Sequence, residues 1–131
     1  MKQKPMSANS LSDYIKVRNG AIEAELSVFI YENDGFKIAY APALDLMGYG
    51  KTEQAAKSSF EVVVEDFFET ALEKGTLPVY LASHGWSSEQ APSEFLSPQV
   101  GSLLEHNEQL REIFATDFMK QSLPFRHAFS C

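Results

Sequence analysis

The chain has 131 residues, one domain's worth, and 44% of them are hydrophobic, enough to fill a single core. A formal net charge of -7 argues against an autonomous nucleic-acid binder, so direct nucleic-acid binding is doubtful. A single cysteine, Cys131, leaves no partner for an internal disulfide, and no run approaches the ~18 apolar residues of a membrane span; with no apolar stretch behind the first lysines, the expectation is a cytoplasmic protein.

The acidity is localised. Residues 1–51 balance six basic against six acidic side chains, and residues 52–97 hold two basic and eight acidic ones. Whatever the negative charge does, it does in the middle of the chain.

In chain order, residues 1–11 are small and polar, with Pro5, and read as a disordered lead-in. Residues 14–18 are rich in strand formers, and Asn19-Gly20 is a hairpin signal because both residues tolerate positive φ. A long strand follows over residues 21–32. Ile22, Ala24, Leu26, Val28 and Ile30 share one face, and Glu23, Glu25, Ser27, Phe29 and Tyr31 share the other. Asn33-Asp34-Gly35 is a second tight turn, and residues 36–41 return antiparallel.

A glycine-containing connection, residues 42–51, then leads into the clearest element of the chain. Thr52 is an N-cap, Glu53 suits the positive helix end, and Lys74 with Gly75 marks the stop. Between them Ala56, Phe60, Val63, Val64, Phe67 and Ala71 recur at helical spacing, with Phe68 and Leu72 widening the stripe. Glu61, Glu65, Glu69 and Glu73 are spaced by four and form an acidic row, relieved only by Lys57 at one end. Like charges so spaced repel by roughly 0.2–0.5 kcal/mol per pair. The row reads either as a solvated face or as a docking face for a basic partner.

After Gly75, residues 77–81 form a short apolar run, read as an edge strand because Pro78 cannot donate to a ladder. Residues 83–97 read as a polar loop, with Trp86 closing one end of the core. Ser97-Pro98 opens a second helix striped by Val100, Leu103, Leu104, Leu110, Ile113 and Phe114, and the aromatic tail 123–129 suggests a final strand. The expected fold is α+β: an antiparallel three- to four-stranded sheet with one long helix on a face (β-β-β-α-β), plus a C-terminal helix and tail. The whole is one domain, with its core over about residues 12–82 and a C-terminal arm over 97–131. So small a core leaves apolar surface over, which suggests a homodimer or higher oligomer in which the arm covers a neighbour.

The central block resembles the HicB-like antitoxin family. The resemblance spans residues 22–82 and rests on Asp34-Gly35-Phe36, Tyr40-Ala41-Pro42, Pro42-Ala43-Leu44, then Gly48-Tyr49-Gly50-Lys51-Thr52 and Ala55-Ala56. It implies a partly eroded ribonuclease-H-like fold without nuclease activity that neutralises a small basic RNA-degrading toxin. Many members add a C-terminal DNA-binding module; residues 97–131 show neither a helix-turn-helix nor a ribbon-helix-helix pattern. Asp45-Leu46-Met47 also intervenes where the family places a proline-glycine step.

Catalysis is not expected. His84, His106 and His127 lack metal-ligand spacing, and read as surface or capping histidines. Asp34 and Asp45 sit in turns, where aspartate is ordinary. Gly50-Lys51-Thr52 ends like a phosphate-binding loop, but the first glycine of that motif would fall on Asp45. No cofactor is implied. The reading is a non-enzymatic binding protein whose glutamates Glu61, Glu65, Glu69 and Glu73 meet a basic toxin. The alternative is a stand-alone homo-oligomeric α+β module with a small-ligand or scaffolding role.

Overall fold

A computed structural model describes residues 13–18, 20–91, 94–98 and 100–128. A four-stranded meander comes first: β1 (Tyr14–Arg18), β2 (Ala21–Asn33), β3 (Phe36–Ala41) and β4 (Leu46–Gly50). The long helix α1 (Glu53–Lys74) and a short α2 (Leu77–Ser83) follow. The chain then runs through β5 (Ser87–Ala91), β6 (Glu94–Leu96), α3 (Val100–His106), α4 (Glu108–Phe114) and β7 (Phe118–Ala128). The protein is α+β, and every strand pairing is antiparallel. Among the described residues the sheet has seven strands rather than three or four. The lead-in 1–11, Asn19 and Cys131 lie outside the described residues.

β2 is the spine of the sheet and pairs with three strands. β1 takes residues 21–25, β3 takes residues 29–33, and β7 runs along residues 21–31. A strand has two edges. The β7 register overlaps both others, so β7 holds one edge and β1 and β3 divide the other, end to end. Ser27 falls in the gap between them, where its N–H faces no strand. The buried Asp13 fills that gap: its carboxylate accepts from Ser27 N–H at 2.9 Å and from Ser27 Oγ at 2.7 Å. A backbone donor that the sheet leaves unpaired is thus satisfied by a side chain.

Burial raises the Asp13 carboxyl above its usual 3.8, outweighing the two Ser27 hydrogen bonds that lower it. The native state therefore holds the Asp13 proton more tightly than the unfolded chain does. The stability this contributes is fully present below pH 3.8 and is lost as pH rises through the raised folded value. Urea unfolding of wild type and Asp13→Asn checks this. The advantage of wild type over the variant is expected to be larger near pH ~3.5 than near pH ~6.5. A gap independent of pH would contradict it.

α1 takes the expected bounds. Thr52 Oγ1 accepts from Ala55 N–H at 3.0 Å, and Gly75 ends the helix at φ 69°. Ala56, Phe60, Val64, Phe68 and Ala71 are buried, against Ile22, Ala24, Leu26, Val28 and Ile30 of β2 as the alternation of that strand requires. On the opposite sheet face Phe29 and Tyr40 are buried with Leu110 and Ile113 of α4. The sheet is therefore covered by α1 on one face and, over part of the other, by the α3–α4 pair.

Five segments differ from the sequence reading. The glycine connection contains a strand, β4, and Gly48 and Gly50 are not turn residues. Positive φ is found at Gly20, Gly35, Gly75 and Gly85, not at these two. Their role is close approach: a Cβ on Gly48 would stand 2.3 Å from Phe60 N, and one on Gly50 2.6 Å from Ala55 Cβ. α1 can therefore lie against β4, where Ser59 Oγ accepts from Tyr49 N–H at 3.2 Å.

The run 77–81 is helical, not a strand. Leu77 and Leu81, four apart, are both buried, and Pro78 sits in the first turn, where its missing N–H costs nothing. The polar loop 83–97 holds β5 and β6, the latter pairing with β1. Trp86 is buried as expected, and its Nε1–H donates to Ala43 O at 2.7 Å.

The second helix is two helices. Asn107 leaves helical geometry (φ -131°, ψ 98°), and its side chain accepts from Leu110 N–H at 2.9 Å, starting α4 afresh. The C-terminal strand is longer than the tail 123–129 suggests, and it pairs with β2 of its own chain. The arm thus pairs with its own sheet. Pro124, which has no N–H to donate, falls opposite Glu25 in this edge strand.

Candidate functional site

Each helical residue is rotated ~100° from the last. The buried row of α1 is Ala56, Phe60, Val64 and Phe68, so the row one position on, Glu61, Glu65, Glu69 and Glu73, lies on a flank. It does not lie opposite the core. The outermost row is Ser58, Val62, Asp66 and Thr70. All four glutamates and Asp66 are exposed, and Val62 stands among them 66% exposed. The result is an acidic band roughly a third of the helix circumference wide, with one apolar residue in it.

The flank runs along β7. Lys57, on the same row, turns its Nζ to Glu53 at 3.5 Å and to Gln121 Oε1 at 3.0 Å, and Gln121 Nε2 donates to Glu53 at 3.2 Å. The lysine that the sequence offers as relief for the row is thus engaged with Glu53 and β7. Glu61 and Glu65 border a shallow groove whose far wall is Pro124, Phe125 and Arg126. Arg126 itself pairs with Glu23 at 3.7 Å. Glu69 and Glu73 lie further along the helix.

A second feature was not anticipated from sequence. The β3–β4 turn, the end of α2 and the α3–α4 junction enclose a cleft of about 620 Å³. Asp45 stands in the turn at φ 59° and accepts from Tyr40 Oη at 2.7 Å, while Asn107 Nδ2 donates to the same Tyr40 oxygen at 2.8 Å. Burial, and the Asp45 carboxylate with it, raises the Tyr40 phenol far above the ordinary tyrosine range, so it stays a neutral donor. Tyr80 Oη donates to Leu44 O at 2.6 Å and pins the same turn to α2.

His84 and His106 both line the cleft. His84 is the C-cap residue of α2 and His106 the last residue of α3, which agrees with capping positions. The His127 side chain lies outside the description. The sequence signal for this cleft was Asn107, a polar capping residue inside an apolar-periodic stretch.

Among the described residues no group of three or more histidines, cysteines, aspartates or glutamates is placed to hold a metal ion. Gly48-Tyr49-Gly50 is a strand leading into a helix cap rather than a phosphate-cradling loop. Among the described residues no helix is long and apolar enough to cross a membrane. The chain matches no family model, no curated protein and no solved structure.

Proposed function

We propose that this chain is a non-enzymatic binding protein of the HicB-like antitoxin type, acting in the cytoplasm. The acidic band of α1 docks a small basic RNA-cleaving toxin and blocks it. The observation that carries the reading is the band itself: Glu61, Glu65, Asp66, Glu69 and Glu73 exposed along one side of a rigid helix, with Val62 as an apolar anchor among them. A surface of one sign steers and registers a partner of the other sign. A meander that runs into a helix capped by Thr52 and laid on the sheet accords with the resemblance. The run 77–81, read from its residues as an edge strand, is instead part of the helix at residues 77–83.

The test is affinity purification of the tagged chain from its own host, followed by native mass spectrometry. The expected eluate holds a stoichiometric small basic protein that cleaves RNA alone and is silent in the complex. A homo-oligomer without such a companion would move the assignment to a stand-alone oligomeric module. The 620 Å³ cleft favours that second reading, because its size falls in the range of small-ligand sites.

A further inference from the structure

The cleft beside the β3–β4 turn carries an inference that does not depend on the acidic band. Ser83, Ser102 and Asn107 line it, and beside them two carboxylates and two imidazoles present acceptors held in place by the fold. His84 Nδ1 lies 3.0 Å from Tyr80 O, and His106 Nδ1 lies 3.1 Å from Ser102 O. A carbonyl can only accept, and the Ser83 hydroxyl, 3.1 Å from His84 Nδ1, already donates its proton to Tyr80 O, so each Nδ1 carries the ring proton. In the neutral imidazole the other nitrogen, Nε2, then presents a lone pair. Among the described residues it has no protein partner.

Asp45 is oriented in the same way. Tyr40 Oη has one proton and gives it to Asp45 Oδ1, because Asn107 Nδ2 already donates to that hydroxyl oxygen. No described donor reaches Asp45 Oδ2 or the Glu108 carboxylate. The cleft is thus lined by two carboxylates and two imidazoles whose open positions all accept hydrogen bonds.

We propose that the cleft binds an organic cation rich in N–H donors, a guanidinium or ammonium group, on Asp45, Glu108, His84 and His106. A metal ion is the poorer fit, because no three of these ligand types converge on one point. Acceptors spread around about 620 Å³ suit a multi-donor molecule, and a planar guanidinium satisfies a carboxylate in bidentate fashion. The group has two sources, a free small amine or the arginine side chain of a polypeptide.

The full chain is titrated by calorimetry and by 15N-resolved NMR with two probes, agmatine and the peptide acetyl-Gly-Arg-Gly-amide. Binding with a dissociation constant below about 1 mM is expected for at least one of them. Agmatine binding points to a small-molecule ligand, and binding of the peptide alone points to a protein side chain. Asp45→Asn and Glu108→Gln are each expected to weaken binding at least about tenfold by removing a charge-assisted bond. Asn tolerates the left-handed backbone at residue 45 and still accepts from Tyr40, so the fold is retained. Asp34→Asn, in the other tight turn, leaves binding unchanged. Failure of both probes, or binding indifferent to Asp45→Asn and Glu108→Gln, overturns the assignment.

Discussion

Gly48→Ala is expected to lower stability by about 3 kcal/mol or more, at or beyond the upper end of overpacking costs. The added Cβ would stand 2.3 Å from Phe60 N, 2.6 Å from Phe60 Cα and 2.8 Å from Ser59 C. All three are backbone atoms of α1, so no rotamer change can make room. Either β4 leaves β3 or α1 lifts from the sheet, and α1 buries Phe60, Val64 and Phe68 in that contact. Against a total stability of roughly 5–15 kcal/mol, a loss of this size is a large share. Gly35→Ala supplies the comparison. Its φ is +83° with nothing within 4 Å of a Cβ, so it incurs only the left-handed backbone penalty of about 1–2 kcal/mol. Urea midpoints followed by circular dichroism separate the two. If Gly48→Ala unfolds no earlier than Gly35→Ala, the close helix–strand approach is not what the glycine is for.

Gly48 also shows why part of this fold escapes a reading of sequence. Glycine ends elements, and it also permits close packing inside them. Without the partner surface in view, Gly48-Tyr49-Gly50 reads as punctuation. α1 was legible because three independent signals agree on it: the Thr52 cap, the four-residue recurrence from Ala56 to Phe68, and Gly75. β2 was legible because its alternation is regular on the face that meets α1. The short apolar run at Leu77 has no such redundancy, since five residues fit one helical turn or one strand, and Pro78 suits the start of either. β5 is invisible for another reason: Ser87-Ser88-Glu89-Gln90 has no apolar alternation, and only its pairing with β6 makes it a strand. The acidic row was visible as a spacing, but its position on the flank beside β7 is fixed by which row is buried. The cleft joins Asp45, His84 and Asn107 over more than sixty positions, and its one local signal, Asn107, marks the break between α3 and α4 without pointing to the distant residues.

The acidic band leads to the second large effect. Glu65→Lys with Glu69→Lys is expected to weaken the complex with the proposed basic partner about a hundredfold, mainly through slower association, since like charge then meets like charge. Stability of the chain alone is expected to change little, because the Glu61–Glu65 and Glu69–Glu73 repulsions of roughly 0.2–0.5 kcal/mol each are removed while a repulsion between residues 65 and 69 remains and Glu65 gives up its own interaction. Total charge could mimic this result. Glu105→Lys with Glu112→Lys provides the control: both residues are exposed on α3 and α4, and the change in net charge is the same. A local docking face predicts that the first pair loses affinity and the second keeps it. The remaining attraction should also show a shallower dependence on salt in the first pair, because fewer opposed charges are left to screen. Equal losses in both pairs would assign the effect to overall acidity and return the glutamate row to the role of a solvated surface. A loss confined to Glu65 and Glu69, with Val62→Ala weakening the complex further, would place the partner on this side of α1, since the charges set encounter and the buried apolar contact sets residence time.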